Sequence, residues 1–451
     1  MDLKGKRVCV IGSGISGIGA VKLLNRVGAN VTLYDGNDKL TKEAVEARLG
    51  NEKAEIIIGS ISENTIKSFE CAIVSPGVPV DGQLVLDFKN AGVLVWGEIE
   101  LAYNYEAGQI IAITGTNGKT TTTALTGEIM KAAGKKTFVV GNIGNSYTAA
   151  VFETDRSSVS VAEISSFQLE TVDNFHPLVT AILNITPDHL NRHHTMEIYA
   201  ETKERIAGKQ TEKDVCVLNY EDKRLREFGE NSCKAKVIWF SSERELTEGA
   251  FVKDNAIYYA EKGEVKRLFA CNEMNLLGKH NYENVCAAIA MTHSFGVDWD
   301  LIIKTVKEFK AVEHRIEYVT SKNDVYYYND SKGTNPEASV KAVEAMVRPT
   351  LLIGGGFDKG SEFDEYVKAF KDKVKFLAVL GATADKLISC CENYGFKNYK
   401  KVESFEEAVE LLSSMAKPGD AVLLSPACAS WGMFNNYEER GAKFKELVNA
   451  L

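Results

Sequence analysis

Residues 110–121 read IIAITGTNGKTT: an apolar strand breaks into the loop Gly115-Thr116-Asn117-Gly118, and Lys119, Thr120 and Thr121 then open a helix. Phosphate needs what such a break supplies. The glycines let the backbone turn tightly and aim N–H groups inward, and the following helix adds the positive end of its dipole. Lys119 can hold a terminal phosphate, and the Thr120 hydroxyl can ligate Mg²⁺. The loop is a shortened form of G-x-x-x-x-G-K-[ST], because the first glycine of that pattern would fall at Ile113. The competing reading is a plain glycine turn between strand and helix.

Upstream, residues 1–97 show the same alternation. Arg7–Ile11 is a short apolar strand, Gly12-Ser13-Gly14-Ile15-Ser16-Gly17 a glycine turn, and Ala20–Arg26 a helical stretch. Val31–Tyr34 is the next strand, ending in Asp35, and further strands end at Ile58-Gly59 and Ser75-Pro76-Gly77. Residues 98–311 carry the phosphate loop and several strand–helix alternations. A charged, irregular patch at Glu221–Glu248 is read as a hairpin excursion. Residues 312–451 alternate again, through strands Val325–Tyr328, Thr350–Ile353, Lys375–Leu380 and Asp420–Leu424. Short continuous apolar strands between helices predict parallel sheets covered on both faces. The expected fold is α/β in three domains: a Rossmann-like 1–97, a central P-loop ATPase domain 98–311 and a Rossmann-like 312–451.

A chain of 451 residues exceeds one core, which agrees with domains of about 100–200 residues each. A formal net charge of −9 argues against broad nucleic-acid binding. The opening MDLKGKRVCVIG lacks a long apolar signal core, and no uninterrupted apolar run reaches membrane-spanning length. The nine cysteines show no C-x-x-C spacing, and Cys9 and Cys71 sit in apolar strands, where a reduced buried thiol is the default. These features predict a cytoplasmic protein without integral membrane contact.

Open α/β sheets place ligand groups at strand ends. The strand Ser160–Glu163 delivers a carboxylate at Glu163-Ile164-Ser165-Ser166. The strand Thr180–Asn184 leads through Ile185-Thr186-Pro187-Asp188 to the imidazole of His189. Either group alone is as readily structural; both beside a phosphate loop favour a Mg²⁺ site. Lys203, in the helical pattern Glu197–Ala207, shares a face with Tyr199, Ile206 and Ala207. A lysine there ordinarily snorkels to the surface. Desolvated instead, its amine falls below its usual pKa of about 10.4 and can react with CO₂, giving a carbamate that ligates Mg²⁺. In Gly278-Lys279-His280-Asn281-Tyr282-Glu283-Asn284, Asn281 and Asn284 lie three apart, so both amides can face a planar group such as a purine. Helix capping by Asn281 is the alternative.

Arg315, in Glu313-His314-Arg315, is placed to reach a nucleotide. The last domain offers three candidate loops: Asn329-Asp330-Ser331-Lys332-Gly333-Thr334-Asn335-Pro336, Gly354-Gly355-Gly356-Phe357-Asp358-Lys359 and Ser425-Pro426-Ala427-Cys428-Ala429-Ser430. Asn335 with Pro336 reads as helix initiation. Small residues, hydroxyls and a lysine at neighbouring strand ends suit a small carboxylate ligand.

Two other classes compete. Gly12-x-Gly14-x-x-Gly17 with Asp35 matches the spacing of a dinucleotide fingerprint, which predicts a nicotinamide-dependent dehydrogenase. That reading leaves Lys119, Glu163 and His189 without a task. A P-loop switch protein is the other, but the chain lacks a guanine-reading Asn-Lys-x-Asp.

Taken together, GTNGKTT, EISSFQLE, NITPDHLNRH, HNYEN, HRIE, NDSKGTNP and SPACASWGMFNNYEERG resemble, in order and over the whole chain, the ATP-dependent Mur ligases of peptidoglycan synthesis. Several of these motifs are shared with folylpolyglutamate synthetases, which generally lack a glycine-turn first domain. EISSFQLE and the final segment look like the D-glutamate-adding members. The resemblance implies a domain for a UDP-sugar, an ATPase domain and a third domain for the amino acid. It implies ATP held by Gly115, Thr116, Asn117, Gly118, Lys119, Thr120 and Thr121, with Asn281, Asn284, Arg315, Asp330 and Lys332 completing the nucleotide site. Two Mg²⁺ ions would sit on Thr120, Glu163, His189 and carbamylated Lys203, with Lys119, His189 and Lys203 as the catalytic set. Ser16, Asp35, Gly77 and Asn142 would bind UDP-N-acetylmuramoyl-L-alanine, and Thr334, Lys359, Ser430 and Tyr437 would bind D-glutamate. The chain departs from its resemblance at Tyr437, where the family often has Phe, and at Asn37, where some relatives carry an arginine for the nucleotide. A monomer is expected.

Overall fold

The computed structural model describes residues 1–143, 146–276, 278–310 and 312–451. Gly144, in the expected Gly141–Gly144 substrate segment, and the expected boundary residue Ala311 lie outside them. The described chain forms three sheets. In the first, β1 (Arg7–Ile11), β2 (Asn30–Asp35), β3 (Glu55–Ile58), β4 (Cys71–Val74) and β5 (Leu94–Gly97) run parallel in the order β3-β2-β1-β4-β5. Strand order reverses beside β1, so a crevice opens where β1 and β4 end, at the glycine turn and at Ser75–Gly77. Gly17 is required there: a Cβ on it would stand 1.9 Å from the Gly12 carbonyl oxygen.

The second sheet contains β6 (Gln109–Thr114), β7 (Lys136–Gly141), β8 (Ser158–Glu163), β9 (Val179–Ile182), β10 (Val215–Asn219), β11 (Lys236–Ser241), β12 (Gly249–Lys253), β13 (Ala256–Glu261) and β14 (Glu264–Ala270). Their order is β14-β13-β12-β11-β10-β9-β6-β8-β7, so the strand feeding the phosphate loop lies between the two that deliver Glu163 and Asn184. Ile110–Ile113 are buried, and Ile110, Ala112, Val140, Ala162 and Ile182 share one apolar cluster. Each large aliphatic side chain buried this way contributes about 1.5–3 kcal/mol. The third sheet holds β15 (Glu317–Lys322), β16 (Val325–Asn329), β17 (Thr350–Gly354), β18 (Val374–Val379), β19 (Tyr399–Lys401) and β20 (Ala421–Leu424), in the order β15-β16-β20-β17-β18-β19.

Two expectations are corrected. The sheets are not wholly parallel: β12 pairs antiparallel with β13, and β15 with β16. The patch Glu221–Glu248 is a helix, Lys223–Asn231, followed by β11, and the hairpin comes after it. The helix carries an N-cap, Asp222, whose carboxylate accepts from the N–H groups of Arg224 and Leu225. By internal contacts the chain divides into two compact units, residues 1–269 with 283–306, and residues 270–282 with 307–451. No described helix is long and apolar enough to cross a membrane. All nine cysteines are free thiols.

Candidate functional site

The phosphate loop is held open by its neighbours. Gly115 (φ 149°) and Gly118 (φ 87°) take left-handed conformations, and a Cβ on Gly118 would fall 2.2 Å from Asn284 Oδ1. Thr116 N donates to the Asn184 carbonyl at 2.9 Å, Asn117 N to Asn184 Oδ1 at 2.8 Å, and Asn184 Nδ2 back to the Asn117 carbonyl at 3.1 Å. Thr116 Oγ1 lies 3.1 Å from the Tyr199 hydroxyl. The helix Lys119–Ala132 begins at Gly118, its first turn free of acidic residues. Thr120 is half-buried on this turn and Thr121 is buried. Lys119 Nζ folds back on the Gly115 and Thr116 carbonyls at 2.8 and 2.9 Å.

Lys203 joins the same loop. Its side chain is 1% exposed, on the helix Met196–Glu204, and its Nζ donates to the Gly115 carbonyl at 2.9 Å. Its Nζ also lies 4.7 Å over the Tyr199 ring. Burial first, and the nearby Lys119 charge second, hold this amine well below the usual lysine range, against a smaller opposing effect of Asp188. The surface-snorkelling reading of Lys203 is therefore excluded.

Glu163 ends β8 fully buried. Its Oε1 accepts from Asn142 Nδ2 at 2.8 Å, while its Oε2 is buried and has no hydrogen-bond partner. Gly141 permits this approach, since a Cβ there would stand 2.2 Å from the Glu163 carbonyl oxygen. A buried, unsatisfied carboxylate oxygen is costly unless a cation meets it. The Glu163 carboxylate at the end of β8 and the Thr120 hydroxyl in the first turn of the helix after β6 are oxygen donors of the kind that Mg²⁺ takes. His189 is in the left-handed region (φ 52°), with a half-exposed ring packed on Phe167 at 4.8 Å and 3.4 Å from Asp188. β9 stops at Ile182, two residues before the expected Asn184, freeing Asn184 to brace the loop.

Asn281 and Asn284 are buried on the helix Lys279–Ser294. The helix starts two residues before Asn281, which excludes the capping alternative. In the first sheet Asp35 Oδ2 accepts from Ser13 N at 2.9 Å and Ser13 Oγ at 2.6 Å. Ser16 is half-buried in the helix Ile15–Val27, and Gly77 is exposed. Asn37 donates its backbone N–H to Asp35, and the arginine at this loop is Arg48, 3.2 Å from Ser13 Oγ. Arg48 stands in the last turn of the helix Lys42–Leu49, and nothing in its local sequence marks it out from a solvated arginine.

In the third sheet, Asp330 is buried at the end of β16. Oδ2 accepts from Ser425 Oγ at 2.8 Å, and burial raises the carboxyl to about 6 despite Arg315 and Arg440. Lys332 lies 5.7 Å over the Tyr437 ring, and burial pushes the Tyr437 phenol up to about 12. Asn335 caps the helix Pro336–Ala345 as expected, leaving Thr334 half-buried just before it. Lys359 is exposed, 4.6 Å over the Trp431 ring, whereas Ser430 is buried. The residue missed here is Arg440. It is 1% exposed and donates to Ser331 Oγ, the Ser331 carbonyl and the Cys428 carbonyl at 2.9, 2.8 and 3.1 Å, tying two candidate loops to the last helix.

A glycine-rich loop between strand and helix, a strand-end carboxylate and a buried lysine on a nine-stranded sheet, in a chain with two further α/β sheets, are the features of a candidate nucleotide-phosphate site. The chain belongs to the Mur ligase family. Residues 6–97 match the description "Mur ligase MurD-like, N-terminal domain", 113–292 "Mur ligase middle domain" and 314–428 "Mur ligase, glutamate ligase domain". It is 64% identical, over the whole of both chains, to the UDP-N-acetylmuramoylalanine–D-glutamate ligase of Lachnospira eligens. It is 52% identical to the enzyme of that name from Lachnoclostridium phytofermentans, over 100% of this chain and 99% of that one. Among solved structures, the UDP-N-acetylmuramate-alanine ligase MurC of Thermotoga maritima shares the fold, with a TM-score of 0.61 at 18% identity over 99% of each chain. The MurF ligase of Thermotoga maritima, solved in complex with ADP, has a TM-score of 0.57 at 17% identity, over 100% of this chain and 97% of that one.

Proposed function

We propose that the protein is an ATP-dependent amide ligase that joins D-glutamate to the terminal carboxylate of UDP-N-acetylmuramoyl-L-alanine, through an acyl phosphate, in peptidoglycan precursor synthesis. The observation that carries this reading is the convergence of Lys119 and Lys203 on the Gly115 carbonyl, with the unpartnered Glu163 Oε2 at the end of the neighbouring strand; the named relatives supply the substrates. The limits 1–97, 98–311 and 312–451 divide the labour between UDP-sugar, ATP and amino acid, in a cytoplasmic monomer.

Gly115–Thr121 and Lys119 would grip the ATP phosphates, with Asn281, Asn284, Arg315, Asp330 and Lys332 around the rest of the nucleotide. Thr120, Glu163, His189 and Lys203 would hold Mg²⁺, as one ion or a pair, which when bound offsets the charge of the γ-phosphoryl group and the acceptor carboxylate. The neutral Lys203 amine adds to CO₂: the N–C bond forms as one C=O π pair moves onto oxygen, a proton leaves to water, and a neutral amine becomes an anionic carbamate whose oxygen would serve as a ligand. The substrate carboxylate, positioned by Asn142 and by the first sheet's Ser16, Asp35 and Gly77, attacks the γ-phosphorus, and ADP leaves. The D-glutamate amine, oriented through Thr334, Lys359, Ser430 and Tyr437, attacks the acyl carbon; phosphate departs and the amine proton passes to solvent. Alignment of this kind is worth about 7–11 kcal/mol.

Phosphate release is measured with ATP, Mg²⁺, UDP-N-acetylmuramoyl-L-alanine and D-glutamate together, and with each omitted. The expected result is release that needs all of them. Equal release without either carbon substrate overturns the reading.

A further inference from the structure

The segment His189–His194 does more than present an imidazole. On its short helix, Leu190–His193, Arg192 donates Nε and Nη2 to the two oxygens of Glu170 at 3.1 and 2.5 Å. The same Nη2 donates to the Val78 carbonyl at 2.8 Å. Both charged side chains are about nine-tenths buried, 11% and 8% exposed. His193 Nε2 meets Ser166 Oγ at 3.0 Å, and His194 Nε2 meets Asp81 at 3.0 Å. The Arg192 guanidinium also lies 5.0 Å over the Phe167 ring that packs on His189.

Val78 and Asp81 belong to the turn that follows β4 and contains Gly77. Val78 N closes this turn on the Ser75 carbonyl at 2.9 Å, and Ser75 lies under the glycine loop, where a Cβ on Gly12 would stand 2.9 Å from its Oγ. A continuous line of contacts therefore runs from His189 through Phe167, Arg192, Val78 and Ser75 to Gly12. Glu170 offsets the buried charge of Arg192, and its fork leaves one N–H directed at the first sheet.

We propose that Arg192 is a positioning residue that fixes the Ser75–Asp81 turn to His189, so that a nucleoside-diphosphate-linked substrate held over the first sheet presents its far end on the His189 side. This rests on the ligase reading above. Arg192→Lys keeps a charge opposite Glu170 but cannot make both the paired bonds and the Val78 bond. The double variant Arg192→Met/Glu170→Gln removes both charges and leaves no buried ion unpaired. Each is expected to raise KM, and the calorimetric Kd, for UDP-N-acetylmuramoyl-L-alanine about tenfold, as for one lost charge-assisted hydrogen bond, with KM for ATP and D-glutamate within about twofold. An unchanged KM and Kd for the UDP substrate, or an equal rise in all three KM values, overturns the role of Arg192 while the ligase reading stands. Failure of the wild-type protein to bind that substrate overturns both.

Discussion

Lys203 acquires its chemistry from placement. The same lysine on an exposed helix would stay charged, but here burial and the Lys119 ammonium both disfavour the proton. Lys203→Ala should lower ligase activity by about a hundredfold or more, beyond the range typical of partners outside the metal shell, and a short carboxylic acid added to the assay should restore part of it. Undiminished activity would remove the carbamate. Asp330 shows the opposite balance. Its folded value of about 6 lies above the unfolded 3.8, so its contribution favours folding below about pH 4 and becomes a cost as pH rises through 6. At pH 7.5 that cost is about 3 kcal/mol, from the two-unit difference. Asp330→Asn should therefore stabilise the protein at pH 7.5 by up to this amount while lowering activity, with the gain fading towards pH 4 in denaturant titrations. A stability difference independent of pH would show that the buried carboxylate is not the source.

Among the elements, the loop-and-helix pair at Gly115–Ala132 is the most constrained. Gly118→Ala adds a methyl group at a positive φ and against Asn284, two independent penalties. The expected outcome is a rise in KM for ATP of about tenfold or more, from a distortion of roughly 1–2 kcal/mol, with KM for D-glutamate unchanged. This element was legible in the sequence because glycine, lysine and threonine each had a local reason to stand there. The strands delivering Glu163 and His189 were legible too, as apolar runs that stop at polar residues. The antiparallel ribbons were not, although their turns carry a signal: Asp254-Asn255, Lys262-Gly263 and Asn323-Asp324 all take left-handed conformations, as two-residue hairpins require. Arg192 and Arg440 were illegible for a different reason. Their partners, Val78 and Ser331, lie more than a hundred residues away, and nothing local distinguishes a buried arginine from a solvated one.

For the whole molecule, the first two sheets fall within one compact unit and the third within another. Calorimetry should therefore resolve two unfolding transitions. UDP-N-acetylmuramoyl-L-alanine at a hundred times its Kd should stabilise only the unit carrying Asp35 and Asn142, by about 2.7 kcal/mol. One transition shifted as a whole would refute that division. The amine nitrogens of Lys119 and Lys203 both end on the Gly115 carbonyl, so the charge of Lys119 adds to burial in holding Lys203 below the usual lysine range. Were Lys203 to take up CO₂ as proposed, an anion would face Lys119 across that carbonyl, and dissolved carbon dioxide would become an effector of the native state. By mutual linkage, gas uptake and anion capture at Lys119 would then affect one another to the same extent in both directions.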